Sequence, residues 1–463
     1  MKIAIITSFS YFNPGYSLTG IVLDQAHMLA AHGHEVVILC QEQADLRGYD
    51  APYLIRPILP FTHLVDYQSR RDLSTEHEIV ALRTANVLAD ALRDFDCAFT
   101  HDLIFTGWNL PYAEGIRHLS KGPKVPRFAG FHWIHSIPNG RRDWWDIRAY
   151  GPNHKLVYPN RTDAMHVAAQ FRGTPDDVTV IPHIKDPRSW MDFSDDTRRF
   201  IEAYPAVLRA DIVQVLPAAQ DRLEAKRVRE VIKIFGVFKI LENLSVCLVV
   251  ANQWATQTTY KRSLDRYRLL AAINGLEPGV DFIFTSDFEP PRFEAGIPKR
   301  MIRELFSLAN LFIFPTDHES FGLVVPEAAL AGCFLVLNGS LAQQKEISGG
   351  FAQYHDFGAW NSPSRINSPL PLGEGQGDPA RCGTSPRREP LGRTTLPLGE
   401  GQGEGLARTI LDRLRANEAI MTRTHARQTY NWDSIYENHY APILTCHCES
   451  RPGVTKQSRV PRD

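Results

Sequence analysis

The chain has 463 residues, 43% apolar and 22% charged, with 51 Lys and Arg against 52 Asp and Glu. That length exceeds what one hydrophobic core usually serves, so two domains are expected. The even charge balance argues against a nucleic-acid partner, and no apolar run approaches the about 18 residues of a membrane span, which leaves at most peripheral membrane contact.

"KIAIITSF" opens the chain as a β-branched run that reads as a buried strand rather than a signal peptide, so a cytoplasmic location is expected. After the turn-rich Asn13-Pro14-Gly15, "GIVLDQAHMLAAHGH" has apolar residues at helical spacing and stops at Gly33. "EVVILC" is the next strand, and a strand, helix, strand unit of this length is a parallel crossover. The alternation continues with a helix around Glu76–Phe95, "CAFTH", a helix around Trp108–Leu119, "RFAGFHW", "KLVYPN", a helix through His166–Phe171 and "VTVIPH".

Residues 186–208 are charged, proline-punctuated and without a strand, so they read as a linker after a domain spanning residues 1–185. Alternation then restarts with "IVQVLPA" and runs to "FLVLN" through five strands and their helices. Two such runs predict an α/β protein of two doubly wound, Rossmann-like parallel sheets, the second domain spanning 209–424. Within it, "LPLGEGQG" occurs at Leu370–Gly377 and again at Leu396–Gly403. The surrounding stretch, about 363–405, is too rich in Gly, Pro and Arg to bury a core, and is expected to be an inserted loop. A helix over 425–445 is expected to return toward the first domain, and 446–463 reads as a tail.

Of seven cysteines only Cys446-His447-Cys448 is closely spaced, one ligand short of a zinc site. Asp94-Phe95-Asp96 precedes a strand, the wrong end of a sheet for a metal-diphosphate site, and no metal is expected.

The most informative stretch is "HESFGLVVPEA", His318–Ala328. Pro326 is expected at the first helical position, Glu319 in the loop past a strand and Glu327 in the first helical turn. That edge of an open sheet is where ligands bind. Carboxylates there can accept hydrogen bonds from vicinal hydroxyls, while Gly322 permits close approach of backbone N–H groups to an anion.

This stretch resembles the E-x-F-G-L-x-x-x-E-A signature of the family 4 retaining glycosyltransferases (glycosyl transferases group 1), which have the GT-B fold with two domains facing a cleft. "LAAHGHEVVIL" and "VTVIPHIKDP" look like the same family's first-domain helix and strand and its pre-linker strand. The resemblance implies a nucleotide-sugar donor, a carbohydrate, lipid-linked or small-molecule acceptor, and no cofactor. It implies that Glu327 binds the nucleotide ribose and Glu319 the donor sugar, with Phe321 and the backbone of Gly322, Leu323 and Val324 beside them. The family's diphosphate-binding Arg and Lys fall in "PAAQDRLEAKR" as Arg222 and Lys226. There the spacing is one residue short and the glycine before the Arg is missing, so Arg227 stays open as the alternative. A histidine near the transferred sugar corresponds to His132, with His135 as a second candidate. Backbone N–H groups around Gly15 to Gly20 are implied near the diphosphate. The aromatic, basic stretch Gly140–Asp146 reads as an exposed loop beside the cleft, there to bind an acceptor sugar or an anionic group, or simply to cover the core. Alternatives are a GT-B-shaped sugar-nucleotide epimerase or a non-catalytic carbohydrate-binding relic.

Overall fold

The computed structural model describes residues 1–46, 53–62, 67–104, 109–121, 129–136, 145–256, 258–358 and 400–449. The chain divides into two compact units, Met1–Asp186 with Thr429–Asp463, and Pro187–Gln428.

The first unit is built on strands β1 (Lys2–Ile6), β2 (Glu35–Gln41), β3 (Leu54–Leu59), β4 (Cys97–His101), β5 (Ala129–Trp133), β6 (His154–Tyr158) and β7 (Val178–Val180). They form one parallel sheet in the order β3-β2-β1-β4-β5-β6-β7. A sheet buried on both faces needs apolar residues on both, and β1 supplies them. Ala4 and Ile6 enter one core cluster, Ile3 and Ile5 the other. Helix α1 (Ser17–Ala31) covers the second face with Leu18, Val22, Ala26 and Leu29. Ile435, Tyr440 and Leu444, from the C-terminal helices Trp432–Ile435 and Ala441–Glu449 and the π-helical turn between them, join that cluster. Helices α2 (Thr75–Ala91) and α3 (Leu110–Lys121) cover the other face. They touch at Gly115, where a Cβ would lie 2.9 Å from the Ala81 carbonyl. Helix α4 (Ala164–Gln170) follows β6. Strand β3 is absent from the sequence reading because Pro57 interrupts its pattern; it survives as an edge strand, where one side of the ladder needs no donors.

The segment read as a linker folds as three helices, α5 (Pro187–Trp190), α6 (Asp195–Ala203) and α7 (Ala206–Arg209), within the second unit. Phe200 of α6 is fully buried, and Glu304 accepts hydrogen bonds from Ser194 and Thr197. The unit continues with β8 (Ile212–Ala219), α8 (Val228–Glu242), β9 (Val246–Gln253), α9 (Thr258–Ile273), β10 (Phe282–Phe284), α10 (Lys299–Phe306), β11 (Leu311–Phe314), α11 (Val324–Leu330), β12 (Phe334–Asn338), α12 (Ala342–Ser348) and β13 (Gln353–His355). Backbone ladders join β10-β9-β8 and β11-β12-β13, all parallel. Side chains stitch the two halves together. The fully buried Gln214 donates to the Ile313 carbonyl at 2.8 Å and accepts from the Ile313 N–H at 2.9 Å. Asn310 accepts from the Val213 N–H at 2.9 Å, and its own N–H reaches the Val213 carbonyl at 3.1 Å. The strand succession is therefore β10-β9-β8-β11-β12-β13, and the winding reverses between β8 and β11. Both parallel-sheet units expected from the alternation are present.

Two local boundaries differ from expectation. Helix α11 begins at Val324, which puts Pro326 at its third position. The first four N–H groups of a helix have no partner within it, so the missing donor costs nothing there. The repeat segment lies outside the described residues up to 399, but its second copy ends inside the helix Glu400–Arg415. Leu406, Ala407, Ile410, Leu411 and Leu414 bury one face of that helix, and the turn before them extends it.

Candidate functional site

In a doubly wound sheet the crevice opens where the winding reverses, because the loops leaving the two central strands part there in opposite directions. In the second unit these are residues 220–227 after β8 and 315–323 after β11. The β11 loop is held open by buried polar side chains. Asn338, at the end of β12, donates to the Thr316 and Gly358 carbonyls at 2.8 and 2.9 Å and accepts from the Ser340 and Phe357 N–H groups. The Thr316 hydroxyl donates to the Ala225 carbonyl at 3.2 Å and also lies 2.9 Å from the His318 carbonyl; together with the Asp317 N–H on Ala225 it ties the two loops.

Across that tie Lys226 and Glu319 form an ion pair, each side chain 14% exposed. The Lys226 ammonium also sits over the Phe314 ring, 4.8 Å from its centroid. Gln343 donates to the Glu319 carbonyl at 2.6 Å. Gly322 has φ +80, and a Cβ there would press on Glu319 Cγ at 3.0 Å, so glycine is required both by its backbone and by its neighbour. Among the described residues, the backbone N–H groups of Gly322, Leu323 and Val324 carry no hydrogen bond. Phe321 and Leu323 are exposed.

The alternative cation Arg227 goes elsewhere. Its side chain is 3% exposed, donates to the Phe357 carbonyl and lies 3.8 Å from Asp317, while its backbone takes φ +51 to start α8. It fastens three loops together and leaves Lys226 to face Glu319. Arg222, at the end of a 3-10 turn, is exposed. Glu327 sits one turn into α11; Lys299 of α10 pairs with its Oε1, and its Oε2 is buried without a hydrogen-bond partner among the described residues. A carboxylate oxygen left bare in this way is a vacancy for a donor group. Sequence reasoning missed Asn338, Lys299 and Gln343, which come from separate elements with no spacing to connect them.

In the first unit the two candidate histidines take different stations. His132 points into the core, 1% exposed, and both ring nitrogens are bonded, Nδ1 to the Thr100 hydroxyl and Nε2 to His154 Nδ1, each at 2.8 Å. Burial, with His154 adding to it, holds its pKa well below the ordinary value. His132, expected at the ligand edge, lies in a sheet covered on both faces, where Phe131 and Trp133 on either side of it are buried as well. His135, beyond the strand end, has its N–H on Asp102 Oδ1 at 2.9 Å and its Nε2 at 2.9 Å from His101 Nδ1. Gly20 lies inside α1 rather than in a loop, so its N–H is already bonded to the Tyr16 carbonyl at 3.3 Å and cannot serve an anion. The Gly140–Asp146 loop lies outside the described residues except for its end, where Trp145 is buried between Arg70 and Arg117 and Asp146 caps a 3-10 turn. Asp96 lies at the amino end of the sheet, accepting from the Lys2 N–H at 2.8 Å.

No family profile matches the chain, and no curated protein does. Solved structures similar to it include a glycosyltransferase from Rickettsia africae, 10% identical over 97% of this chain and 100% of that one, with a TM-score of 0.33. A sucrose-phosphate synthase from Thermosynechococcus elongatus is 14% identical over 97% and 100%, also at 0.33. HepE from Anabaena, in complex with UDP and glucose, is 13% identical over 96% and 100%, again at 0.33. At such low likeness the chemistry has to be read from the site itself.

Proposed function

We propose that this chain is a GT-B glycosyltransferase of the family 4 type, moving a sugar from a nucleoside-diphosphate sugar to a hydroxyl acceptor with retention of configuration. The observation that carries this reading is the Lys226–Glu319 pair at the winding reversal of the second unit, with the unbonded N–H groups of residues 322–324 following Glu319 in the same loop. A cation beside backbone donors is what a departing diphosphate needs, since preorganised charge stabilises it without reorganisation at the moment of transfer. In this reading Lys226 and Arg222 hold the diphosphate. Glu319, released from Lys226 as the donor enters, accepts sugar hydroxyls. Glu327 offers its bare Oε2 to the ribose while Lys299 keeps Oε1. Attack comes from the face the leaving group departs, assisted by that group, so catalysis is positioning plus charge stabilisation.

A panel of UDP-, GDP- and ADP-sugars tests this by thermal stabilisation and by release of the nucleoside diphosphate. Stabilisation with transfer to a hydroxyl acceptor is expected for one base. Stabilisation without product would identify a carbohydrate-binding relic, an epimerised donor would identify an epimerase, and silence across the panel would sink the reading.

A further inference from the structure

Helices α2 and α3 approach closely because Gly115 has no side chain: a Cβ there would lie 2.9 Å from both the Ala81 carbonyl and Thr84 Cβ. Beside that contact three ligating side chains meet. Glu114 and His118 stand at i and i+4 on α3 and so share a face, and Glu78 reaches them from α2. His118 Nε2 lies 2.8 Å from Glu78 Oε1 and 3.1 Å from Glu114 Oε1, and the three ligand atoms all lie within 4.8 Å of one another. Two carboxylate oxygens thus converge on one ring nitrogen, whose single N–H cannot serve both fully. A tetrahedral zinc ion holds nitrogen and oxygen ligands at about 2.0–2.1 Å, which sets them about 3.3–3.4 Å apart. The two nitrogen–oxygen separations would have to open by only about half an ångström. Glu114 is buried, and Arg117 Nε holds its Oε2 at 2.8 Å; Arg117 Nη2 also bonds Oε1, a contact that an ion would displace. Arg117 in turn lies over the Trp145 ring, 5.6 Å from its centroid. Tyr150, which packs against α3, is fully buried, and its hydroxyl has no hydrogen-bond partner among the described residues. Burial and then the Glu114 charge raise its pKa, which places that bare hydroxyl in the field of the cluster. Glu78 and His118 are only half-buried, which leaves a path for an ion to enter and for water to complete its shell.

We propose that Glu78, Glu114 and His118 form a binding site for a divalent transition ion of the zinc class, which clips α2 to α3 over one face of the first unit's sheet. One imidazole with two carboxylates suits such an ion better than calcium or magnesium, whose ligands are oxygens. Arg117 is a positioning residue that keeps the Glu114 carboxylate in place, and the Tyr150 hydroxyl is a partner for water on the ion. The site is independent of the sugar-transfer reading, in which no metal serves the diphosphate.

The test uses the full chain carrying Cys446→Ser and Cys448→Ser, which removes the thiols of the Cys446-His447-Cys448 triplet as a rival holder of zinc. After chelator treatment and dialysis, calorimetry with zinc chloride is expected to show one strongly bound equivalent, and the melting temperature to rise with zinc. Cobalt(II) taken up in its place is expected to show the visible absorption of a four-coordinate ion, which a histidine–carboxylate network without metal would not produce. Glu78→Gln keeps the size of a half-buried side chain and is expected to fold as the parent does. It should lose at least about 100-fold in zinc affinity, since even a residue that only supports a ligand is worth about 10–100-fold, and the zinc-dependent rise in melting temperature should go with it. His118→Asn is expected to behave alike. Absence of saturable zinc binding by the parent overturns the site. An equivalent held as tightly by both variants places the ion elsewhere and overturns it as well. Calcium bound as tightly as zinc would overturn the choice of ion.

Discussion

Lys226 and Arg227 are adjacent in sequence, yet one faces the crevice and the other is a structural fastener. Lys226→Ala should lower turnover about 100-fold, the loss seen when one preorganised donor is removed, with little change in melting temperature. Arg227→Ala should instead destabilise, because it strips a cation from the Phe357 carbonyl and Asp317 inside the fold. Parallel kinetics and urea unfolding of the two variants check this; the reverse pattern would exchange their roles. Glu327→Ala should weaken donor binding by about 1–3 kcal/mol, the scale of a hydrogen bond to a charged group, as read by calorimetry with the donor the panel identifies. Gly130 belongs to the same scale. A Cβ there would meet His154 Nδ1 at 2.4 Å, so Gly130→Ala has to displace the ring that bonds His132.

At the scale of elements, the second unit depends on a junction that backbone ladders do not make. Gln214 replaces a stretch of ladder between β8 and β11 with its own amide, at the place where the winding reverses. Gln214→Leu keeps the volume and leaves the Ile313 N–H and carbonyl without partners. The expected cost is about 2 kcal/mol or more, measured by urea unfolding, and Lys226 and Glu319 sit directly above the loosened junction. The helix Glu418–Thr429 is a second fastener. Its Arg423 donates to the Ala309, Ala331 and Gly332 carbonyls, and its Arg427 to those of Val207, Leu208 and Ala210, closing the ends of neighbouring helices.

At the scale of the whole molecule, acid sensitivity is unevenly placed. His34, His101, His132, His135, His154 and His183, all in the first unit, are held below the ordinary histidine value chiefly by burial. A histidine that is neutral when folded and free to charge when unfolded binds more protons in the unfolded state. Stability is therefore full above about pH 6.5 and is lost as pH falls, by up to about 1.4 kcal/mol per pH unit for each fully buried group and by less for the half-buried His34, which solvent screens. Asp24 and Asp102, both raised to about 6 by burial, push the other way between about pH 4 and 6, but they are fewer. The first unit should thus unfold before the second when pH is lowered from about 7 to 5. Calorimetry with fluorescence from Trp133 would show it, and a pH-independent first transition would contradict it.

The repeat segment belongs to this scale too. Deleting Pro363–Gly399, which stops short of the helix at Glu400, should leave donor binding intact and slightly raise the melting temperature, since a shorter loop costs less to close. The segment's Gly- and Arg-rich composition makes it the expected first target of trypsin. Unfolding on deletion would mark it as part of the core.

What the sequence determined by itself is the alternation: β-branched runs such as "KIAII" and "EVVILC" can only be strands buried on both faces, and the helices between them make the sheets parallel. It also determined where to look, because Glu319, Gly322 and Glu327 sit in one short stretch between a strand and a helix. Pro57 and the three-residue β13 hid two edge strands, and the buried face of α6 passed for a linker. Only the tertiary structure decided which cation meets Glu319, that Lys299 takes one oxygen of Glu327, and that both ring nitrogens of His132 are taken by Thr100 and His154. These are contacts between residues 22 to 93 positions apart. Sequence periodicity records which face a side chain takes, whereas its partner across a loop is set by where separate strands end.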